Sequence, residues 1–310
     1  MISSKDGAKD NMYKDGAKIQ KATVKGKQSS SKAFPDIENV TIRSVLFQAF
    51  RRPYVSVSPD TPLVELGTYL STGHQIYVDG LIVAQENKLA GRIGGQHILD
   101  RLLRTTYDDW SRITASDLME KSSSALQLDS SLSTLLRLFG ETKFALAPIA
   151  DNGQLIGSVG IRDLLPVISE SKLRTGIMTV GSTQVRLKRD ETLGNAIDIM
   201  LKKGIRNLVL SSSRNDVNDK DKYIINDRKM LEFIFSYEGK KVMTRGIGSS
   251  VLANIRVDSL DIIAASHISQ KATVRKAANL LRDSNTPVLL FDNQIITPWD
   301  IVMKTMWNKN

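Results

Sequence analysis

The 310-residue sequence contains no cysteine. That absence excludes structural disulfides, thiolate-held metals, iron–sulfur clusters and a cysteine nucleophile. Histidine is almost as scarce. His74, His97 and His267 lie far apart, so no histidine-based zinc spacing is present. No apolar run approaches the ~18 residues that span a bilayer, and the N-terminus lacks the apolar segment of a secretion signal. These absences point to a soluble, cytoplasmic protein with no membrane insertion. What is present is ordinary for a globular chain: 41% apolar and 25% charged residues can bury a core, and the length predicts about two domains.

The net charge of +10 is unevenly placed. Residues 1–32 carry eight Lys against three Asp, and the remaining 278 residues hold the other +5. With a tandem KDGAK at 5–9 and 14–18, then KGKQSSSK at 25–32, residues 1–36 read as a disordered basic tail. So few apolar groups cannot offset an ordering entropy of about 1–2 kcal/mol per residue. A basic tail is either a solubilising linker or an arm toward polyanions such as nucleic acid.

Beyond residue 40 the chain repeats itself. Four segments place apolar residues at i, i+3, i+6 and i+7: Leu63/Leu66/Tyr69/Leu70, Leu132/Leu135/Leu138/Phe139, Leu193/Ala196/Ile199/Met200 and Val274/Ala277/Leu280/Leu281. Each predicts an amphipathic helix of about three turns. The preceding SPDTPL, LDSSL, KRDETL and SQKATV supply capping residues. A short apolar strand follows each helix: GHQIYVDG, KFALAPIA, IRNLVLSS and TPVLLFD. A second strand then runs into another helix at GRIGGQHILDRLL, GSVGIRDLLPVI, YIINDRKMLEFI and QIITPWDIVMKT. Aligned on their last polar position these junctions give His97, Asp163, Lys229 and Asp300, spaced by 66, 66 and 71 residues. The apolar pairs Val45-Leu46, Leu118-Met119, Ile177-Met178 and Ile262-Ile263 would start the four units. One such unit is too small to cover both faces of its sheet, so each is expected to pair with a neighbour.

The second repeat, DLMEKSSSALQLDSSLSTLLRLF followed by FALAPIADNGQLIGSVGIRDLL, resembles the CBS (cystathionine β-synthase) domain family, including its strand-borne Pro148 and its Gly157-to-Asp163 junction. The IITPWDIV of the fourth repeat resembles the family's closing motif. The resemblance covers residues 42–307. It implies an α+β fold of β-α-β-β-α units, paired as two Bateman modules that face each other in a disc-like arrangement. Residues 37–171 would form the first module, from repeats 42–105 and 115–171. Residues 172–310 would form the second, from repeats 174–238 and 258–307. The family's usual ligands are adenine nucleotides (AMP, ADP, ATP) and sometimes S-adenosylmethionine, and its usual role is that of a ligand sensor in signal transduction. By that resemblance the chain is a regulatory protein without a cofactor, acting on a protein partner in trans.

The resemblance also implies site residues. Asp163 and Asp300 occupy the family's ribose-binding position, where a carboxylate accepts charge-assisted hydrogen bonds from two hydroxyls. The helix beginning there directs backbone N–H groups toward phosphate. Each Asp would serve equally as a helix cap. Three residues earlier, Thr297 supplies a hydroxyl, whereas Gly160 allows close approach of backbone. Arg162 suits a phosphate clamp because guanidinium binds bidentately; Trp299 is expected to pack. In the first and third repeats His97 and Lys229 replace the Asp, and neither accepts two hydroxyls as a carboxylate does. A cation there suits phosphate better. The adenine is expected on strand backbone near Ala145 and Leu146 in the second repeat and Thr286 in the fourth.

Other constellations fail as sites. NDVNDKDKYIIND at 215–227 fits no calcium-loop spacing and reads as an exposed hairpin. RGIGSS at 245–250 has two of the three glycines of a dinucleotide fingerprint. With no Walker sequence and no Ser/His/Asp order, the chain is not expected to be an enzyme. A nucleic-acid-binding scaffold that uses the tail and KKVMTR at 240–245, with degenerate ligand sites, is the alternative; an enzyme acting on nucleotides comes third. Apolar helix faces of such repeats also admit a homodimer.

Overall fold

The computed structural model describes residues 38–46, 54–71, 78–122, 125–211 and 223–307. The expectations for the tail, for His74 and for the loop at 215–222 lie outside them. The first repeat runs α1 (Ile42–Leu46), β1 (Ser56–Val57), α2 (Leu63–Ser71), β2 (Leu81–Gln85), β3 (Lys88–Ile93) and α3 (Gly95–Leu103). The second runs α4 (Ala115–Leu118), β4 (Glu120–Lys121), β5 (Leu126–Gln127), α5 (Leu132–Thr142), β6 (Leu146–Asp151), β7 (Gln154–Gly160) and α6 (Leu165–Glu170), with a 3-10 turn at Ile161–Leu164. The third opens with a 3-10 turn at Ile177–Thr179. It continues through β8 (Ser182–Thr183), β9 (Arg186–Lys188), α7 (Leu193–Lys203), β10 (Asn207–Ser211), β11 (Tyr223–Asn226) and α8 (Asp227–Phe235). Two further helices follow, α9 (Tyr237–Met243) and α10 (Gly248–Leu252). The fourth repeat then has a 3-10 turn at Val257–Ser259, β12 (Ile263–Ala264), β13 (Ser266–His267), α11 (Val274–Leu280), β14 (Leu289–Phe291), β15 (Gln294–Ile296) and α12 (Pro298–Met306).

Three expectations shift. The i+6 member of each apolar stripe lies off the buried face: Tyr69 and Leu280 are exposed, and Leu138 and Ile199 are half-buried. At ~100° per residue, i+4 is closer to position i than i+6 is, and Gly67, Leu136, Ile197 and Ala278 take that buried place. In the first repeat the described strand is LIVAQ at Leu81–Gln85; of the expected GHQIYVDG only 78–80 fall among the described residues, and they form a bend. The pair Ile262-Ile263 does not start the fourth unit; Ile263 sits in β12, and the opening turn is Val257–Ser259.

Three of the four expected caps form, at α5, α7 and α11. Ser131 accepts from Thr134 N, Thr192 from Asn195 N and Thr273 from Lys276 N, each cap contributing ~1 kcal/mol. The same helix starts join repeats reciprocally. Thr41 bridges Ser131 and Thr114 bridges Pro62, tying the first and second repeats; Gly176 bridges Thr273 and Arg256 bridges Thr192, tying the third and fourth. Strands are exchanged with the same logic. β4 of the second repeat completes the first repeat's sheet, β12 of the fourth completes the third's, and β8 of the third completes the fourth's.

Sheets and helices bury different neighbours. The sheet seam between the first and second repeats packs Ile82, Phe144, Leu146 and Leu155, and that between the third and fourth packs Val209, Ile224, Val288, Leu290 and Ile295. The two larger cores run the other way. Helices α2 and α3 pack on α7 and α8, joining first and third repeats, while α6 and α12 pack with α11 to join second and fourth. The described residues from 38 to 307 thereby belong to one compact unit.

Candidate functional site

Strands β3, β7, β11 and β15 each run straight into a helical turn, capped by Gly94, Gly160, Asn226 and Thr297. His97, Asp163, Lys229 and Asp300 therefore all fall at the third helical position. Three of these side chains close back on the cap. Gly94 N–H donates to His97 Nδ1 at 3.3 Å, Gly160 N–H to Asp163 Oδ2 at 2.7 Å and Thr297 N–H to Asp300 Oδ2 at 2.9 Å. In the third repeat the cap works in reverse, with Lys229 N–H donating to Asn226 Oδ1 at 2.9 Å.

These helix starts surround a cavity of about 720 Å³ to which all four repeats contribute. Of the residues expected at a ligand, His97, Ala145, Arg162, Thr297 and Asp300 line it. Lys229 lines a separate cavity of about 280 Å³ to which the first, third and fourth repeats contribute. Leu146, Gly160, Asp163 and Thr286 line neither cavity. Leu146 is in the seam, and its carbonyl accepts from the buried Arg92 at 3.3 Å.

The remaining contacts define what each group offers. Asp300 is buried, with Oδ1 accepting from Ser182 Oγ at 2.5 Å and pairing Lys304 Nζ at 3.1 Å. Its Oδ2 also accepts from Thr297 Oγ1 at 2.6 Å, so a ribose hydroxyl there has to displace an existing donor. Arg162 reaches from the second repeat to the fourth. There it donates to the carbonyls of Leu281 at 2.6 Å, Asp283 at 3.4 Å and Thr286 at 3.5 Å, as cations do at helix C-termini. Lys229 Nζ lies 2.6 Å from Asp261 and 3.0 Å from Glu232. Burial works to lower its pKa, but hydrogen bonds to Asp261 and Glu232 leave it raised. That cation is thus already matched by two carboxylates rather than held ready for phosphate.

His97 also departs from the expected cation. Burial holds its pKa below the ordinary 6.5, partly offset by Glu120 and reinforced by Arg92. Its ring lies 5.8 Å from Phe144, and Nδ1 needs its lone pair for Gly94 N–H. The unfolded chain therefore takes up a proton before the folded one does, and the stability tied to neutral His97 is lost as pH falls through 6.5. Urea unfolding at about pH 7.5 and 5.5 is expected to show that loss, and His97→Gln to lessen it. An identical pH slope in the variant would place the titration elsewhere.

The sequence reading missed the cavity's second ring of residues. Leu146 pairs with the cap Gly160 and Asn207 with the cap Asn226, whereas Leu81 and Leu289 pair one residue before theirs. Counting back one position from the residue opposite each cap gives Asp79, Ala145, Arg206 and Pro287, and all four line the cavity. Arg206 Nε donates to Asp227 Oδ2 at 2.8 Å, and its Nη1 lies 3.5 Å from Asp79 Oδ1. Ala145 alone of these was expected. Correct placement of β2 would have brought Asp79 and Arg206 into view. Among the described residues, no group of three His, Cys, Asp or Glu side chains is placed to hold a metal ion.

A family model for the CBS domain matches residues 115–170. That segment, α4 through α6, is a CBS domain. The likeness in fold extends well beyond that segment. Protein MJ1225 from Methanocaldococcus jannaschii, put forward as an archaeal homolog of g-AMPK, superposes with a TM-score of 0.68 at 18% identity, covering 83% of this chain and 98% of that one. An uncharacterized conserved protein from Pyrococcus horikoshii gives 0.48 at 13% identity over 82% and 97%. A CBS domain-containing protein from Thermotoga maritima gives 0.34 at 19% over 42% and 94%. No curated protein matches the sequence. The chain thus has the α+β fold of tandem CBS proteins, and no helix among its described residues is long and apolar enough to cross a membrane.

Proposed function

We propose that this chain is a non-enzymatic regulatory protein that binds a phosphorylated adenosyl ligand in the central cavity and signals to a protein partner in the cytoplasm. The observation that carries the reading is the convergence on one 720 Å³ cavity of the N-termini of three nine-residue helices, α3, α8 and α12, together with Arg162, Arg206 and Lys304. Helix N-termini and guanidinium groups favour anions, and this volume suits a nucleotide. The fold likeness to a protein put forward as a homolog of g-AMPK supports a nucleotide as the anion. Residues 37–171 and 172–310 act as the two modules whose packing the ligand alters, which requires that it bind one packing better than the other.

Thermal unfolding of the full chain with AMP, ADP, ATP and S-adenosylmethionine tests this. A ligand at about 100 times its Kd adds ~2.7 kcal/mol and raises the midpoint by several degrees. A midpoint unmoved by all four compounds would sink the reading. Asp300→Asn, which keeps the side chain's shape while removing its charge at the cavity wall, is expected to weaken the binding ligand by about tenfold, measured calorimetrically. Unchanged affinity would remove Asp300 from the site.

A further inference from the structure

Two carboxylates of the chain already lie where a ligand's phosphate would be drawn. Asp79, from the first repeat, approaches the helix-capping Gly160 of the second so closely that a Cβ there would collide with Oδ2. Asp227, from the third repeat, lies against Gly95 at the start of α3, where a Cβ would come within 2.6 Å of its Oδ2. Both glycines are what lets the carboxylates in. Each carboxylate therefore packs against the backbone of a strand-to-helix junction in another repeat. Arg206 spans the two, and all three residues line the cavity. One guanidinium against two carboxylates leaves the trio with a net negative charge inside a cavity that is otherwise attractive to anions.

The geometry points to Asp79 and Asp227 as the residues that set how many phosphates the cavity accepts. They are built-in anions that a ligand has to confront. A monophosphate draws on Arg162, Lys304 and the start of α12, in exchange for part of the carbonyl and carboxylate contacts that those two cations make. Each further phosphate brings more negative charge toward the Asp79–Arg206–Asp227 group, which repels it and withholds Arg206. The cavity accordingly favours AMP over ATP. This rests on the reading of the cavity as an adenosyl-phosphate site.

The test is the ratio of ATP to AMP dissociation constants, measured calorimetrically on the full chain and on Asp79→Asn and Asp227→Asn. Each substitution preserves shape and leaves Arg206 one carboxylate partner. The wild-type chain is expected to bind AMP more tightly, and each variant to narrow the ratio by about tenfold, the effect of one unit charge acting through a partly buried path. A merely structural role would shift both ligands alike. A wild-type chain that binds ATP as tightly as AMP, a ratio unchanged in both variants, or variants that lose both ligands equally would each overturn the assignment. Should the variants fail to fold, salt decides on the wild-type chain. From roughly 0.05 to 0.5 M, exposed lysines are screened but buried carboxylates much less. The AMP preference is expected to persist, and its disappearance overturns the proposal. Absence of binding by any adenosyl compound removes the underlying site as well, and so is distinguishable from binding without discrimination.

Discussion

Arg206→Ala is expected to lower the unfolding free energy by about 3–5 kcal/mol, the cost of stripping the countercharge from buried carboxylates. The Asp79 and Asp227 side chains are only 6% and 2% exposed, while that of Arg206 is 27% exposed. Without the guanidinium, two negative charges drawn from different repeats share a cavity wall that water reaches poorly. Water admitted along the Arg206 side places the loss toward the lower end of that range. Arg206→Lys keeps the charge but not the fork that reaches both oxygens, and is expected to lose about 1–2 kcal/mol. The contrast is Arg43→Ala. Its partner Asp129 lies 2.7 Å away, yet the two side chains are 47% and 69% exposed, so solvent screens that pair and its loss is expected to leave the unfolding curve nearly unchanged. Urea unfolding of the three variants side by side ranks them, and an Arg206→Ala curve that overlays Arg43→Ala would show that the buried trio does not hold the repeats together.

Trp110→Ala is expected to cost a similar amount, about 3–5 kcal/mol, through a different mechanism. Trp110 is buried in the 3-10 turn Tyr107–Ser111, with ring centroids 5.0 Å from Tyr107 and 5.1 Å from Phe235 at the end of α8. It belongs to the core shared by the first and third repeats. Truncation opens a void that α3 and α8 are too constrained to fill and removes two tilted aromatic contacts. The indole N–H is buried without a hydrogen-bond partner. Trp110→Phe discards that N–H while retaining a ring, so it is expected to cost only about 1–2 kcal/mol. Denaturant midpoints check both. Equal losses for alanine and phenylalanine would mean that the void is not the dominant effect.

Much of the architecture was legible because it is local. Periodicity exposed α2, α5, α7 and α11, and the polar residue closing each second strand was correctly seen as equivalent, since His97, Asp163, Lys229 and Asp300 share one helical position. Apolarity alone did not single out LIVAQ as a strand, because its pairing partners β1 and β3 lie outside the local pattern. That slip hid Asp79. Arg206 stayed hidden because its importance comes from Asp79, 127 positions away in the chain. Helices α9 and α10 fell between the repeats and had no counterpart to reveal them. Arg162 and Lys229 read as phosphate-binding cations because nothing in their immediate neighbourhood announces the Leu281 carbonyl or the Asp261 carboxylate. Local patterns specify elements, whereas the charge balance of a cavity depends on what arrives from elsewhere.

The crosswise cores have a consequence for the order of events during synthesis. The apolar side of α6, including Leu165 and Ile168, is covered by α11 and α12. Roughly 90 residues separate the end of α6 from the turn at Val257–Ser259, which at about 5–20 residues per second takes a ribosome about 5–20 s. Throughout that interval α6 lacks its cover, whereas α2 and α3 gain theirs once α7 and α8 have been made, so the bare α6 side suits the nascent chain to chaperone capture. Completion of the last repeat, rather than of either half, is what makes the emerging polypeptide safe from its own exposed surface.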